Sequence, residues 1–147
     1  MTPRIALLAP ILLIGACARA PESPTVAQAW VRLPAVAGQP AAAYFTLTGG
    51  RGDETLVQVA SALTSRIDLH ASMAGGHGMT TMQPLAEVKV PAGAALRFTP
   101  GGRHAMLYGL DPAIVHGTAV PLRFGFASGK TVEAEAKTVA AGEDAPY

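Results

Sequence analysis

The sequence AAAYFTLT, residues 41–48, shows most directly which fold this chain adopts. Its apolar residues Ala43, Phe45 and Leu47 occupy every second position, and this period of two is typical of a half-buried β-strand. Two glycines follow immediately and favour a turn. The segment therefore predicts a strand with one face packed on a hydrophobic core.

Short segments further along the chain repeat this alternation and are separated by Gly or Pro. In segment 55–59 we expect Val57 and Val59 to share one face, and in segment 66–70 we expect Ile67 and Leu69 to oppose His70. No window shows the period of an amphipathic helix together with helix caps. Many short strands at roughly 8–12-residue spacing predict an all-β fold, an antiparallel β-sandwich. The other strand segments are 88–90, 96–98, 122–126 and 132–137.

The N-terminus has the pattern of an export signal. Arg4 precedes an apolar run, IALLAPILLIG at residues 5–15, which is too short for a comfortable membrane span. The next residues complete the sequence Ile-Gly-Ala-Cys, which resembles the lipobox of bacterial lipoproteins and ends at Cys17, the only cysteine. We therefore expect a lipid on Cys17 and a membrane-anchored protein in the periplasm. Ordinary cleavage nearby, after Ala20, is the alternative.

Length and composition favour one domain with a packed core. The chain has 147 residues, of which 50% are hydrophobic and 14% are charged, with a formal net charge of +1. No basic stripe with interleaved aromatic residues is present, which argues against nucleic-acid binding. We assign residues 1–16 to a lipoprotein signal peptide, 17–28 to the lipidated cysteine and a flexible tether, 29–139 to the β-sandwich domain and 140–147 to a tail.

Methionine and histidine are concentrated in one part of the sequence. Core methionines that fill packing gaps should be scattered among the strands. Here every methionine after Met1 lies between residues 70 and 106, together with three of the four histidines. Segment 71–81, ASMAGGHGMTT, is also too Gly-rich and polar to be core. The clustering therefore indicates a metal site. The residues concerned are His70, Met73, His77, Met79, Met82, His104 and Met106.

Four of these residues are placed to converge. His104 and Met106 are two apart and project from the same face of a strand. His70 is expected at the end of another strand, and Met82 follows a Gly-containing loop. Imidazole and soft, neutral thioether ligands suit Cu(I) better than zinc, calcium or magnesium. A blue-copper site needs a Cys thiolate, which the domain lacks. The expected cargo is one Cu(I) per chain.

These residues resemble the PCu(A)C-type periplasmic copper chaperones, whose pattern is H-x10-M-x21-H-x-M. The spacing from Met82 through His104 to Met106 matches this pattern, whereas the interval from His70 to Met82 is one residue longer. The runs AAAYFTLT, FTPGGRHAMLYGL and VPLRFGF also resemble the family. The resemblance implies a cupredoxin-like (Greek-key) β-sandwich that binds Cu(I) through His70, Met82, His104 and Met106. Met79 and Met73 stay open as further contacts.

The resemblance also implies a copper-acceptor protein as the partner. Members of the family are associated with copper delivery to the CuA centre of cytochrome oxidase, so the acceptor is expected to be subunit II of that oxidase or an assembly factor. Copper buffering needs the same site and stays open, as does a structural or adhesive lipoprotein without metal transfer. An enzyme is not expected, because the sequence has neither a Gly-x-Ser-x-Gly elbow nor an HExxH motif.

Overall fold

The computed structural model of the chain describes residues 21–75 and 78–147. The predicted signal peptide and lipidation site at Cys17 lie outside this part, as does His77. Ten strands and no α-helix are present in the described ranges. They are β1 (Thr25–Arg32), β2 (Ala41–Thr48), β3 (Glu54–Ala60), β4 (Arg66–Ala74), β5 (Thr80–Leu85), β6 (Val88–Val90), β7 (Ala95–Phe98), β8 (Arg103–Tyr108), β9 (Ala119–Phe126) and β10 (Thr131–Val139).

The strands form one barrel-like sheet that wraps around a single large core. Their order is β5-β4-β8-β2-β1-β10-β9-β3-β6, and β7 pairs separately with β2. All pairings are antiparallel except that of β1 with β10, which is parallel. The prediction of an all-β fold is therefore confirmed, with this one parallel pairing as a difference. Among the described residues no helix is long and apolar enough to cross a membrane.

The alternation in β2 separates the inside of the sheet from the outside as predicted. Ala43, Phe45 and Leu47 are at most 2% exposed. The Phe45 ring stacks on Phe98 with 4.2 Å between ring centroids and meets Phe124 edge-on at 4.8 Å. Aromatic pairs in these geometries add to the stability gained from area burial. The opposite face of β2 points outwards, and the candidate site lies on this outer side.

Two β-bulges change which residues face the core. In β3 the pairing with β9 shifts between Leu56 and Gln58. Leu56 and Val59 are buried, whereas Val57 is 44% exposed, so the expectation that Val57 and Val59 share one face was wrong. In β1 a second bulge places Gln28 at a φ of 53°. The strand nevertheless begins at Thr25, within the stretch assigned to the tether. A bulge adds a residue that the simple alternation does not include.

Candidate metal centre

The four predicted ligands lie on three neighbouring strands and on one face of the sheet. His70 in β4 pairs directly with His104 in β8, and Met106 follows two residues later on the same face. Met82 in β5 pairs with Ser72, which lies two residues beyond His70. Directly paired residues of antiparallel strands point to the same side. The fold therefore brings all four side chains to one area of the outer face.

His70 lies in the middle of β4, not at a strand end as expected, whereas His104 is the second residue of β8. β4 continues beyond His70 to Ala74 and forms a hairpin with β5, closed by a hydrogen bond from the Gly75 N–H to the Met79 carbonyl. Residues 71–74 and 80–81 therefore belong to strands, where the sequence indicated only a Gly-containing loop before Met82. Small residues at 71, 72 and 74 give no clear alternation, because their side chains differ little in hydrophobicity.

The two imidazoles lie next to each other. Their ring centroids are 5.9 Å apart and the ring planes are 20° from parallel. His104 is only 6% exposed, and its Nδ1 donates a hydrogen bond to the Gly102 carbonyl at 3.0 Å. A carbonyl only accepts, so Nδ1 carries the proton and the Nε2 lone pair stays free for a metal ion. A hydrogen bond from the ring nitrogen that does not bind the metal is the usual way in which a metal-binding histidine is oriented.

His70 contributes the second observation that points to a metal ion. Its Nδ1 is buried, and among the described residues it has no hydrogen-bond partner. A buried nitrogen without a partner costs free energy, about 1–3 kcal/mol in typical cases. A metal ion bound by His70 through Nδ1 would satisfy this atom. The residues present therefore fit a metal ion at this position.

The thioethers would have to complete the coordination. Within residues 21–75 and 78–147, no three His, Cys, Asp or Glu side chains lie together as a metal-binding cluster. Met106 is half-buried beside His104, whereas Met82 is 58% exposed on the outermost strand. Two imidazoles and two thioethers are neutral, and a ligand set of this kind suits a soft monovalent ion.

The other two methionines of the hairpin are placed differently. Met73 pairs with Thr81, one position out of phase with Ser72 and Met82, so it projects from the opposite face of the sheet. Met79 lies at the turn before β5 and is 67% exposed. Of the three methionines of the hairpin, only Met82 therefore shares the face of the two histidines by strand register.

An aromatic cluster beside the site was missed by the sequence analysis. The Tyr44 ring lies 6.5 Å from His104 and 4.5 Å from Trp30, and the Arg32 guanidinium lies 5.0 Å from the Trp30 ring. Burial raises the pKa of the Tyr44 phenol, and the positive charge of Arg32 offsets part of this rise. Tyr44 therefore stays neutral and supports the His104 ring by packing. The outward position of Tyr44 on β2 could have indicated this cluster from the sequence. The bulge in β1 breaks the alternation of that strand, so the face on which Trp30 lies could not be predicted.

Comparisons with known proteins agree with this reading of the fold. Residues 25–138 match the family model described as "Putative lipoprotein LpqE-like". A relative from Leifsonia xyli subsp. xyli (strain CTCB07), "Putative lipoprotein Lxx21020", is 30% identical over 106 residues, or 72% of this chain and 63% of the relative. The chain thus spans less than two thirds of the length of this relative.

Two solved structures share the fold. One is the solution structure of CuI-DR1885 from Deinococcus radiodurans, which is 28% identical with a TM-score of 0.59, covering 87% of this chain and 85% of that one. The other is the copper-bound PCuAC domain from PmoF2, which is 19% identical with a TM-score of 0.66, covering 80% and 93%. The predicted cupredoxin-like fold of the PCu(A)C type is therefore confirmed.

Proposed function

This chain belongs to the LpqE-like lipoprotein family, and on that premise we propose that it binds one Cu(I) outside the cytoplasm and passes it to another protein. The ligands are His70, Met82, His104 and Met106. The observation that carries the proposal is the direct pairing of His70 with His104, with Met106 next to them on the same face. The copper-bound state of two proteins of the same fold supports it further.

The exposure of the ligands favours delivery over buffering. A buffering site gains from enclosing its ion, whereas a donor site must let an incoming ligand attack. His104 is buried, but Met82 is 58% exposed on the outermost strand. An acceptor can therefore replace Met82 first while the imidazoles still hold the ion. The acceptor that the PCu(A)C resemblance implies is the CuA site of cytochrome oxidase, and no catalytic step is part of this proposal.

The metal itself provides the first test. Anaerobic titration of the chain with Cu(I) should give one bound ion per molecule, whereas Zn²⁺ should bind far more weakly, because thioethers are poor zinc ligands. Oxidation of the methionines to sulfoxides should abolish Cu(I) binding, since it removes the soft donors. Zinc binding with the same stoichiometry and strength as copper would contradict the proposal.

We also propose that the protein is held to a membrane in the periplasm by lipid on Cys17. The lipobox-like sequence and the lipoprotein name of the relative support this. Replacement of Cys17 by serine should move the protein from the membrane to the soluble fraction of an expressing bacterium, while the copper affinity stays unchanged. Cell fractionation and immunoblotting check this. Membrane retention of the Cys17→Ser variant would argue against a lipid at this position.

A further inference from the structure

The outer edge of β5 combines a free sheet edge with one of the proposed metal ligands. β5 is the first strand in the sheet order, and in the described part of the chain it pairs with β4 alone. Its sequence, TTMQPL, has no charged side chain, and five of its six residues are exposed. Proteins usually protect such an edge with charged residues, with proline or with a covering segment, and β5 carries one proline, Pro84, near its end. An uncharged edge therefore indicates a surface on which another strand can add.

The hydrogen bonds of the hairpin show which backbone groups face this free edge. The Ser72 N–H donates to the Gly102 carbonyl, so Ser72 bonds towards β8 and forms a non-hydrogen-bonded pair with Met82. The bond from Gly75 to Met79 fits the same alternation. The N–H and C=O groups of Thr80 and Met82 consequently point away from β4, towards the free edge.

Pro84 obeys the same pattern. It pairs with His70, another non-hydrogen-bonded position of the β4–β5 ladder. Its missing N–H therefore removes no bond to β4, and its carbonyl faces the free edge. The edge presents an unbroken set of acceptors at Thr80, Met82 and Pro84, with donors at the first two.

We propose that this edge is the docking site for an extended segment of the copper acceptor, which adds as an antiparallel strand next to β5 and carries a cysteine opposite Met82. The proposal deepens the proposed function and rests on it. Strand addition to a free sheet edge is a known mode of peptide recognition, in which backbone bonds give affinity and side chains give specificity.

The register places the incoming cysteine beside the metal ion. The residue opposite Met82 exchanges two backbone hydrogen bonds with it, and the Cβ atoms of such pairs lie about 4.5–5.5 Å apart on the same face. That face also carries His70 and His104. In the exchange, the Cu(I)–sulfur bond to Met82 breaks as a bond to the cysteine sulfur forms. The thiol proton passes to water, and copper stays in the Cu(I) state.

The experiment uses the Cu(I)-loaded chain and an acetylated, amidated peptide of sequence TVCVT, which spans the edge from Thr80 to Pro84. The rate of Cu(I) transfer from the chain to the peptide is measured under anaerobic conditions. A second peptide has an N-methylated cysteine, which retains the thiol but cannot donate to the Met82 carbonyl. Because this peptide loses one backbone hydrogen bond to the edge, we expect transfer to it to be roughly three- to tenfold slower at equal concentration. Equal transfer rates would overturn the proposal.

Variants of the protein test the same edge from the other side. Thr80→Pro removes one outward N–H, whereas the control Thr80→Ala keeps it. We expect slower transfer to TVCVT with the proline variant only, and the same Cu(I) affinity for both variants. Slow transfer in both variants would show that the threonine side chain, and not its N–H, is recognised.

A third peptide, with serine in place of cysteine, separates docking from copper transfer. It should protect the amides of Thr80 and Met82 from hydrogen exchange in the metal-free chain. This measurement does not depend on Cu(I) binding. If the chain failed to bind Cu(I), the proposed function would be wrong, but the exchange measurement would still test the edge as a docking site. No protection at saturating peptide would reject the edge as a docking site.

Discussion

Replacement of His104 by asparagine should weaken Cu(I) binding by about a hundredfold or more. Structural Zn²⁺ sites with four ligands are worth about 10–16 kcal/mol in total, or roughly 2.5–4 kcal/mol for each ligand, and we take this as the scale for one ligand here. At about 1.4 kcal/mol per factor of ten, loss of one imidazole corresponds to this change. Asparagine can still donate to the Gly102 carbonyl, which the wild-type ring contacts at 3.0 Å. Competition with a Cu(I) chelator of known affinity measures the effect.

His116 provides the matched control. Its side chain is 62% exposed, and its Nε2 lies 3.2 Å from a carboxylate oxygen of Glu143. The same substitution, His116→Asn, should therefore leave the Cu(I) affinity unchanged. Because His104 is buried, thermal unfolding of the metal-free variant must show that the fold persists. Equal losses of affinity in both variants, or none in His104→Asn, would show that His104 is not a ligand.

The sequence predicts the faces of strands wherever the side chains differ clearly in polarity. Phe45 and Leu47 were placed correctly on the core face of β2, and both are nearly inaccessible to solvent. The same reasoning placed His104 and Met106 together, and the outward face of β8 carries both. Alternation determines a face locally, so it needs no knowledge of the neighbouring strands.

The alternation of side chains along one strand does not predict which strands pair with each other. His70 and His104 are 34 positions apart in the sequence, yet they are direct partners because β4 lies beside β8. Alternation gives neither the order nor the register of strands, and one residue of slippage would reverse every face. The hairpin of β4 and β5 was missed for a related reason, since small residues beyond His70 conceal the period of two.

The register of that hairpin now bears on the choice among the three methionines. Sequence spacing alone favoured Met82, through its distance to His104, and left Met79 and Met73 open as further contacts. The structure adds a physical criterion, because Met82 projects from the face of the histidines and Met73 from the opposite one. Met79 belongs to the turn. Lengthening a loop costs little free energy, so we expect the turn of the hairpin to absorb the extra residue between His70 and Met82.

Met82→Leu should therefore weaken Cu(I) binding by roughly tenfold to a hundredfold, since leucine keeps the apolar volume and removes the sulfur donor. The loss is expected to be smaller than for His104, because water or a neighbouring thioether can reach this exposed position. Met79→Leu and Met73→Leu are matched controls with the same chemical change on the same hairpin, and we expect at most a twofold effect from each. Chelator competition under anaerobic conditions compares all three variants with the wild type. A larger loss for Met79→Leu than for Met82→Leu would mean that the turn, and not the edge strand β5, supplies the fourth ligand.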